Sequence, residues 1–297
     1  MTFNPDSDIS GGRVSSRGRS GAIVAGAGGL GAIALFLLSQ FLGVDLTSLT
    51  GLTGTSTSQE QVGDDSALAS CQTGADANAK VECRMKGAAA SLEAYWEAQA
   101  PELGVDYTPP AAFQLFSGQT QTGCGAASAA SGPFYCPPDQ TIYLDTAFFD
   151  QLRSQFGTSG GSLAELYVVA HEWGHHVQNL AGVLESTHDG QTGPGSATVR
   201  TELQADCFAG AWAYAAQTVP DANGVPFLKK ISASEYADAM DAARAVGDDT
   251  IQSEMRGQVI QSEFTHGSSK QRQRWFQTGF QQGATACNTF DVPTGQL

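Results

Sequence analysis

The sequence predicts an α+β domain, a helical bundle with a small antiparallel sheet, behind an N-terminal transmembrane helix. Three observations predict it. Residues 162–180, 198–217, 232–246 and 270–281 repeat apolar or small residues at helical spacing. Residues 107–144 hold short apolar runs broken by Pro and Asp, the pattern of strands and a hairpin. Residues 21–44 carry no charge over roughly 24 positions, enough to span a bilayer.

Acidic residues outnumber basic ones 30 to 15, a formal net charge of −15. Nucleic-acid binding needs a basic footprint, and this balance argues against it. Residues 1–20, rich in Ser, Gly and Arg, read as a disordered cytoplasmic tail. Arg13, Arg17 and Arg19 precede the apolar run, and acids (Asp45, Glu60, Asp64, Asp65) follow it. By the positive-inside rule this makes a single-pass cell-membrane protein whose later residues lie outside the cytoplasm. A cleaved signal peptide is the competing reading, but the run exceeds the usual apolar core of one and no small-x-small site follows it directly. Residues 45–66 read as a flexible Thr/Ser/Gly linker, and residues 67–297 as the folded domain.

Six cysteines, at 71, 83, 124, 136, 207 and 287, fit three disulfides in an exported domain. Proximity along the chain suggests Cys71–Cys83 and Cys124–Cys136, leaving Cys207–Cys287, among the fifteen pairings that six cysteines allow.

In chain order, residues 75–100 read as a helix, with Val81, Met85, Leu92 and Trp96 near helical spacing and Pro101 just past its end. "YTPPAAFQLF" (107–116) reads as an extended entry into a sheet. In "GPFYCPPDQTIYLD", Pro137, Pro138 and Asp139 separate two apolar runs as a hairpin turn would. The helix over 162–180 has Gly182 as its stop, and the helix over 232–246 begins with a Ser232/Glu235 capping box. No long internal repeat is present.

The chemistry centres on "VVAHEWGHHVQNLAG" (168–182). His171 and His175 are i and i+4 on one helix face, so both imidazoles can reach one metal ion. Glu172 projects beside them as a general base for an attacking water. This is the HExxH arrangement of zinc hydrolases. A catalytic zinc takes three protein ligands and keeps a position open. His176 points about 100° away and is a poor third ligand. Glu202, in "RTELQADCFAGAW", is the better one, with Asp206 one turn on to accept Nδ1–H of a ligand histidine. The competing reading of Glu202 and Asp206 is a solvent-facing acidic pair.

These stretches, with "GPFYCPPDQTIYLDTAFF", "ARAVGDDTIQ", "FTHGSSKQRQRWFQTGF" and "CNTF", resemble the bacterial YpfJ-type family of neutral zinc metallopeptidases, and cover most of residues 71–290 in family order. The resemblance implies a gluzincin-like core, one Zn2+ and a peptide or protein substrate, with no established substrate identity. "FTHGSSKQRQRWF" also resembles a Thr-His-Pro…Arg segment of prenyl-protease-type enzymes. His266, followed by Arg272 and Arg274, is thus either a catalytic donor to an oxyanion or an exposed histidine beside a helix cap. His188 reads as a surface loop residue. The segment Ala127–Phe134 is the candidate edge for an added peptide strand. The expected function is a membrane-anchored zinc metallopeptidase acting outside the cytoplasm. A zinc-bound scaffold or chaperone without catalysis, and a structural envelope protein, are the alternatives.

Overall fold

The computed structural model describes residues 2–16, 65–187 and 189–297. Among the described residues, eight helices and six strands build an α+β fold. The helices are α1 (Gly74–Ala79), α2 (Val81–Gln99), α3 (Ala147–Phe156), α4 (Ser162–Leu180), α5 (Ala197–Ala215), α6 (Ala233–Ala245), α7 (Asp248–Arg256) and α8 (Ser269–Gln282). Two short helical turns, Asp65–Ala69 and Val183–Ser186, accompany them.

Helix α4 is the centre of the domain. Every residue from Leu163 to Gln178 is buried, as for a helix surrounded by other elements rather than lying on a surface. It ends where Gly182 takes a left-handed conformation (φ 72°) that residues with a Cβ adopt at a cost. Helix α5 starts at Ser196, whose side chain accepts the Val199 N–H. The expected Ser232/Glu235 capping box opens α6, and a Ser268/Gln271 box opens α8. The single helix expected over 75–100 is two, because Lys80 is extended (φ −131°, ψ 138°) between α1 and α2. Helices α3 and α7 were not expected.

The main sheet has the order β1 (Ser15–Ser16), β2 (Ala112–Phe116), β6 (Thr141–Asp145), β5 (Phe134–Cys136). It is not the antiparallel sheet expected. Strands β1, β2 and β6 run parallel, and only the β5–β6 hairpin is antiparallel. Apolar runs identify strands but not partners, and β2 meets β6 only after the chain has made β3 (Gln119–Thr122), β4 (Gly125–Ser128) and β5. All five residues of β6 are buried, as in a sheet covered on both faces. Strands β3 and β4 form a separate antiparallel pair. The candidate edge Ala127–Phe134 is not one strand: it ends β4, passes through a 3₁₀ turn at Ala129–Ser131 and starts β5. The disulfides are Cys71–Cys83, Cys124–Cys136 and Cys207–Cys287, the pairing expected from proximity.

The N-terminal segment differs most from expectation. Phe3 and Ile9 are fully buried. The Asn4 N–H donates to Phe227 O (2.9 Å), the Ile9 N–H to Gln72 O (3.0 Å) and the Gly74 N–H to Ser7 O (2.8 Å). Residues 2–16 are therefore part of the domain and not a disordered tail. The expected anchor over residues 21–44, and nearly all of the linker over 45–66, lie outside the described residues. Among the described residues no helix is long and apolar enough to cross a membrane. A chain crossing a bilayer once between 16 and 65 would put Thr2–Ser16 and the domain on opposite sides, yet they share one core. The expectation of a single-pass cell-membrane protein with an extracytoplasmic domain is corrected accordingly.

Replacing Phe3 tests this packing. Its ring fills the space above Gly87, where a Cβ would meet it at 2.7 Å. Phe3→Ala should lower the unfolding free energy by about 3–5 kcal/mol, measured by denaturant titration. An unchanged midpoint would detach the N-terminal segment from the core.

Candidate metal centre

Helices α4 and α5 cross at Gly174, where a Cβ would lie 3.0 Å from Ala205 Cα. This close approach brings the two predicted motifs face to face. His171 Nε2 lies 3.1 Å from Glu202 Oε2, His175 Nε2 lies 3.3 Å from Glu202 Oε1, and the two Nε2 atoms are 3.2 Å apart. One donor atom from each of the three residues lies within 4.8 Å of the others. Two imidazole nitrogens and a carboxylate oxygen form a donor set that suits zinc. The three side chains are buried, so the solvent-facing reading of Glu202 does not hold.

Asp206 is wholly buried and its Oδ1 is 2.8 Å from His171 Nδ1. Tyr167 donates its hydroxyl to the same oxygen (2.6 Å). Arg272, from α8, donates Nε–H to Asp206 Oδ2 (2.8 Å) and Nη2–H to Oδ1 (2.9 Å). Burial alone would raise the Asp206 carboxyl, but the Arg272 and His171 charges hold it below the usual range. Burial would likewise raise Glu202, yet His175, His266 and His171 pull it well below. At His171 burial disfavours the charge, but Asp206 and Glu202 outweigh it and raise the imidazole to about 10.

Glu172 is buried on the same helix, next to His171. His176 turns away, as its spacing predicts. Its Nε2–H donates to Thr108 O (2.7 Å), which leaves Nδ1 to accept the Tyr135 hydroxyl at 3.1 Å. Burial lowers its pKa. His176 thus ties α4 to β5.

His266 is buried rather than an exposed residue beside a cap, and Ser268 makes the cap. Its Nδ1 is 2.9 Å from Thr265 Oγ1 and 3.3 Å from Asp248 Oδ1. Asp248 Oδ2 accepts the backbone N–H groups of Thr265, His266 and Gly267 at 2.7–2.9 Å, which fixes the loop. Burial opposes its charge, but Glu202 and Asp248 raise its pKa, so His266 sits within electrostatic reach of the cluster. His188 lies outside the described residues.

Sequence reasoning missed the parts played by Tyr167, Arg272 and Asp248. A signal existed for Arg272: it shares its spacing with Trp275, Phe276 and Gly279, the buried face of α8. Arg274, by contrast, donates to the Gln296 and Leu297 carbonyls at the C-terminus.

Comparison with known proteins agrees with this geometry. Residues 5–290 match the family model described as "Putative neutral zinc metallopeptidase". The chain belongs to that family. It is 52% identical over 227 residues to an uncharacterized protein of Mycobacterium tuberculosis (strain ATCC 25618 / H37Rv), 76% of each chain. It is 39% identical over 272 residues to the uncharacterized protein YpfJ of Escherichia coli (strain K12), covering 90% of this chain and 88% of the relative. No solved structure matches the chain. The family implies zinc, and the His171/His175/Glu202 cluster is where the fold can hold a metal.

Two outcomes follow for metal binding. Asp206→Ala should weaken zinc affinity by about 10–100-fold without removing a donor atom, read by chelator competition. Without metal, His171 is protonated below about 10, and the metal must displace that proton. Apparent affinity should therefore rise with pH, by about tenfold per unit between pH 6 and 8 for one displaced proton. A flat profile would show that His171 holds no proton there.

Proposed function

We propose that the protein is a peptidase that hydrolyses peptide bonds at one zinc ion held by His171, His175 and Glu202. The observation that carries the reading is the convergence of these three buried donors from two helices, with Glu172 adjacent on the same helix. Metal binding alone has no use for Glu172, whereas hydrolysis needs a base there.

When bound, the zinc supplies a Lewis acid that polarises the scissile carbonyl and brings the attacking water's pKa toward neutrality. Glu172 takes the proton from that water and passes it to the leaving amine. Asp206 orients His171, and Arg272 with Tyr167 hold Asp206 in its buried place. His266, steadied by Asp248, supplies a donor for the oxygen that becomes negative as water attacks. The peptide or protein substrate binds where these groups meet.

Glu172→Gln should abolish hydrolysis of a peptide library while keeping stoichiometric zinc, because Glu172 is base and not ligand. Glu202→Ala and His175→Ala should lose zinc itself, seen by elemental analysis. Substantial activity in Glu172→Gln would sink the mechanism. His266→Ala should cut kcat by about 10²–10³-fold with little change in KM and intact zinc. Near-normal kcat would leave His266 a purely structural residue.

A further inference from the structure

The two ligand histidines are supported differently. His171 rests on a carboxylate, Asp206. The Nδ1 of His175 lies 2.8 Å from a neutral amide, Gln178 Oε1, on the same helix. Which nitrogen of His175 carries the proton depends on which way that amide faces, and the surroundings decide it. Gln178 Nε2 lies 2.7 Å from the Thr201 carbonyl oxygen. A carbonyl can only accept, so the Gln178 NH2 group must face it and Oε1 must face His175. His175 Nδ1 is then a donor, which leaves Nε2, on the side of His171 and Glu202, as the nitrogen whose lone pair a metal would take.

The chain of constraints extends one residue further. Gln178 Nε2 also lies 3.0 Å from Gln204 Oε1 on α5. Gln204 faces that way because its own Nε2 donates to the Cys287 carbonyl oxygen at 3.0 Å. Cys287 is bonded to Cys207, one turn along α5 from Gln204. Two acceptor-only backbone carbonyls, of Thr201 and Cys287, thus dictate the facing of two side-chain amides. Thr201 precedes Glu202, so the same bonds join α4 to the start of the carboxylate motif.

We propose that Gln178 is a positioning residue for His175, setting the tautomer that offers Nε2 to a metal, and that Gln204, held by Cys287, sets Gln178 in turn. A reversed Gln178 amide would place NH2 against Nδ1 and favour the imidazole tautomer with its proton on Nε2, which cannot ligate through that atom. The inference rests on the zinc reading above.

The test uses the whole chain with Gln178→Met, which keeps volume but removes the acceptor. Zinc affinity is read by competition with a chromophoric chelator. The visible spectrum of the cobalt-loaded protein reports ligand geometry, and thermal melting of the metal-free protein reports packing. The expected result is about 10–100-fold weaker zinc binding together with an altered cobalt spectrum. A lower melting temperature with unchanged affinity and spectrum would overturn the proposal, since that is the signature of a packing role alone. Should Gln178→Met fail to fold, Gln204→Met reads the relay from its second member. It is expected to weaken zinc severalfold, and unchanged affinity in that variant would overturn the relay. Wild-type protein without stoichiometric zinc would overturn the zinc reading itself, an outcome separate from failure of Gln178.

Discussion

The site depends on how closely α5 lies against its neighbours on two sides. Toward α4, Gly174 permits contact with Ala205. Toward α8, the approach is closer still: a Cβ on Gly210 would overlap the Phe276 carbonyl oxygen, and one on Gly279 would overlap the Cys207 carbonyl oxygen. Imidazole and carboxylate side chains are short. They meet across two helices only if the backbones come within the reach that small residues allow. Larger residues at these three positions would move the helix axes apart before they altered any ligand.

Burying so many ionisable groups needs compensation within the cluster. Asp206 and Glu202 bring two negative charges into the buried cluster, and Arg272 returns one positive charge. The one remaining negative charge is balanced by the proton that His171 holds, and a bound dication would take the place of that proton. The same arrangement that makes the metal-free cluster hold protons makes it a strong site for a cation. Arg272 therefore has a dual effect: it keeps Asp206 ionised and lies 3.9 Å from Glu202, limiting how much charge the pair can accumulate.

Local features were legible in the sequence and long-range ones were not. The pairs His171/His175 and Glu202/Asp206 each lie at i and i+4 on a single helix, so their shared faces follow from helix geometry. Their meeting across the helix crossing does not follow from spacing, and was reached through the chemistry of zinc, which requires a third ligand. Arg272 was readable only as one of two arginines, because its partner Asp206 is 66 residues away. The parallel pairing of β2 with β6 likewise depends on contacts that no local pattern encodes. Composition misled at the N-terminus. Ser, Gly and Arg between Phe3 and Ser16 resemble a tail, yet two apolar side chains and a set of backbone bonds hold the segment to the domain.

Both ends of the described chain belong to one core, and this bears on the order of folding. Phe3 packs over α2, while Cys287 is joined to α5 and Leu297 is buried beyond it. Along the chain, residues 2–16 come long before the 220–229 segment that supplies part of their contacts, and α5 comes before the α8 backbone it packs against. Phe3 and Ile9 can meet Gly87 of α2 early, but the bond from Asn4 to Phe227 waits for a segment more than two hundred residues later. Contacts of such high sequence separation carry the loop-closure cost that makes them slow to form, so the docking of the N-terminal segment belongs to the later steps of folding.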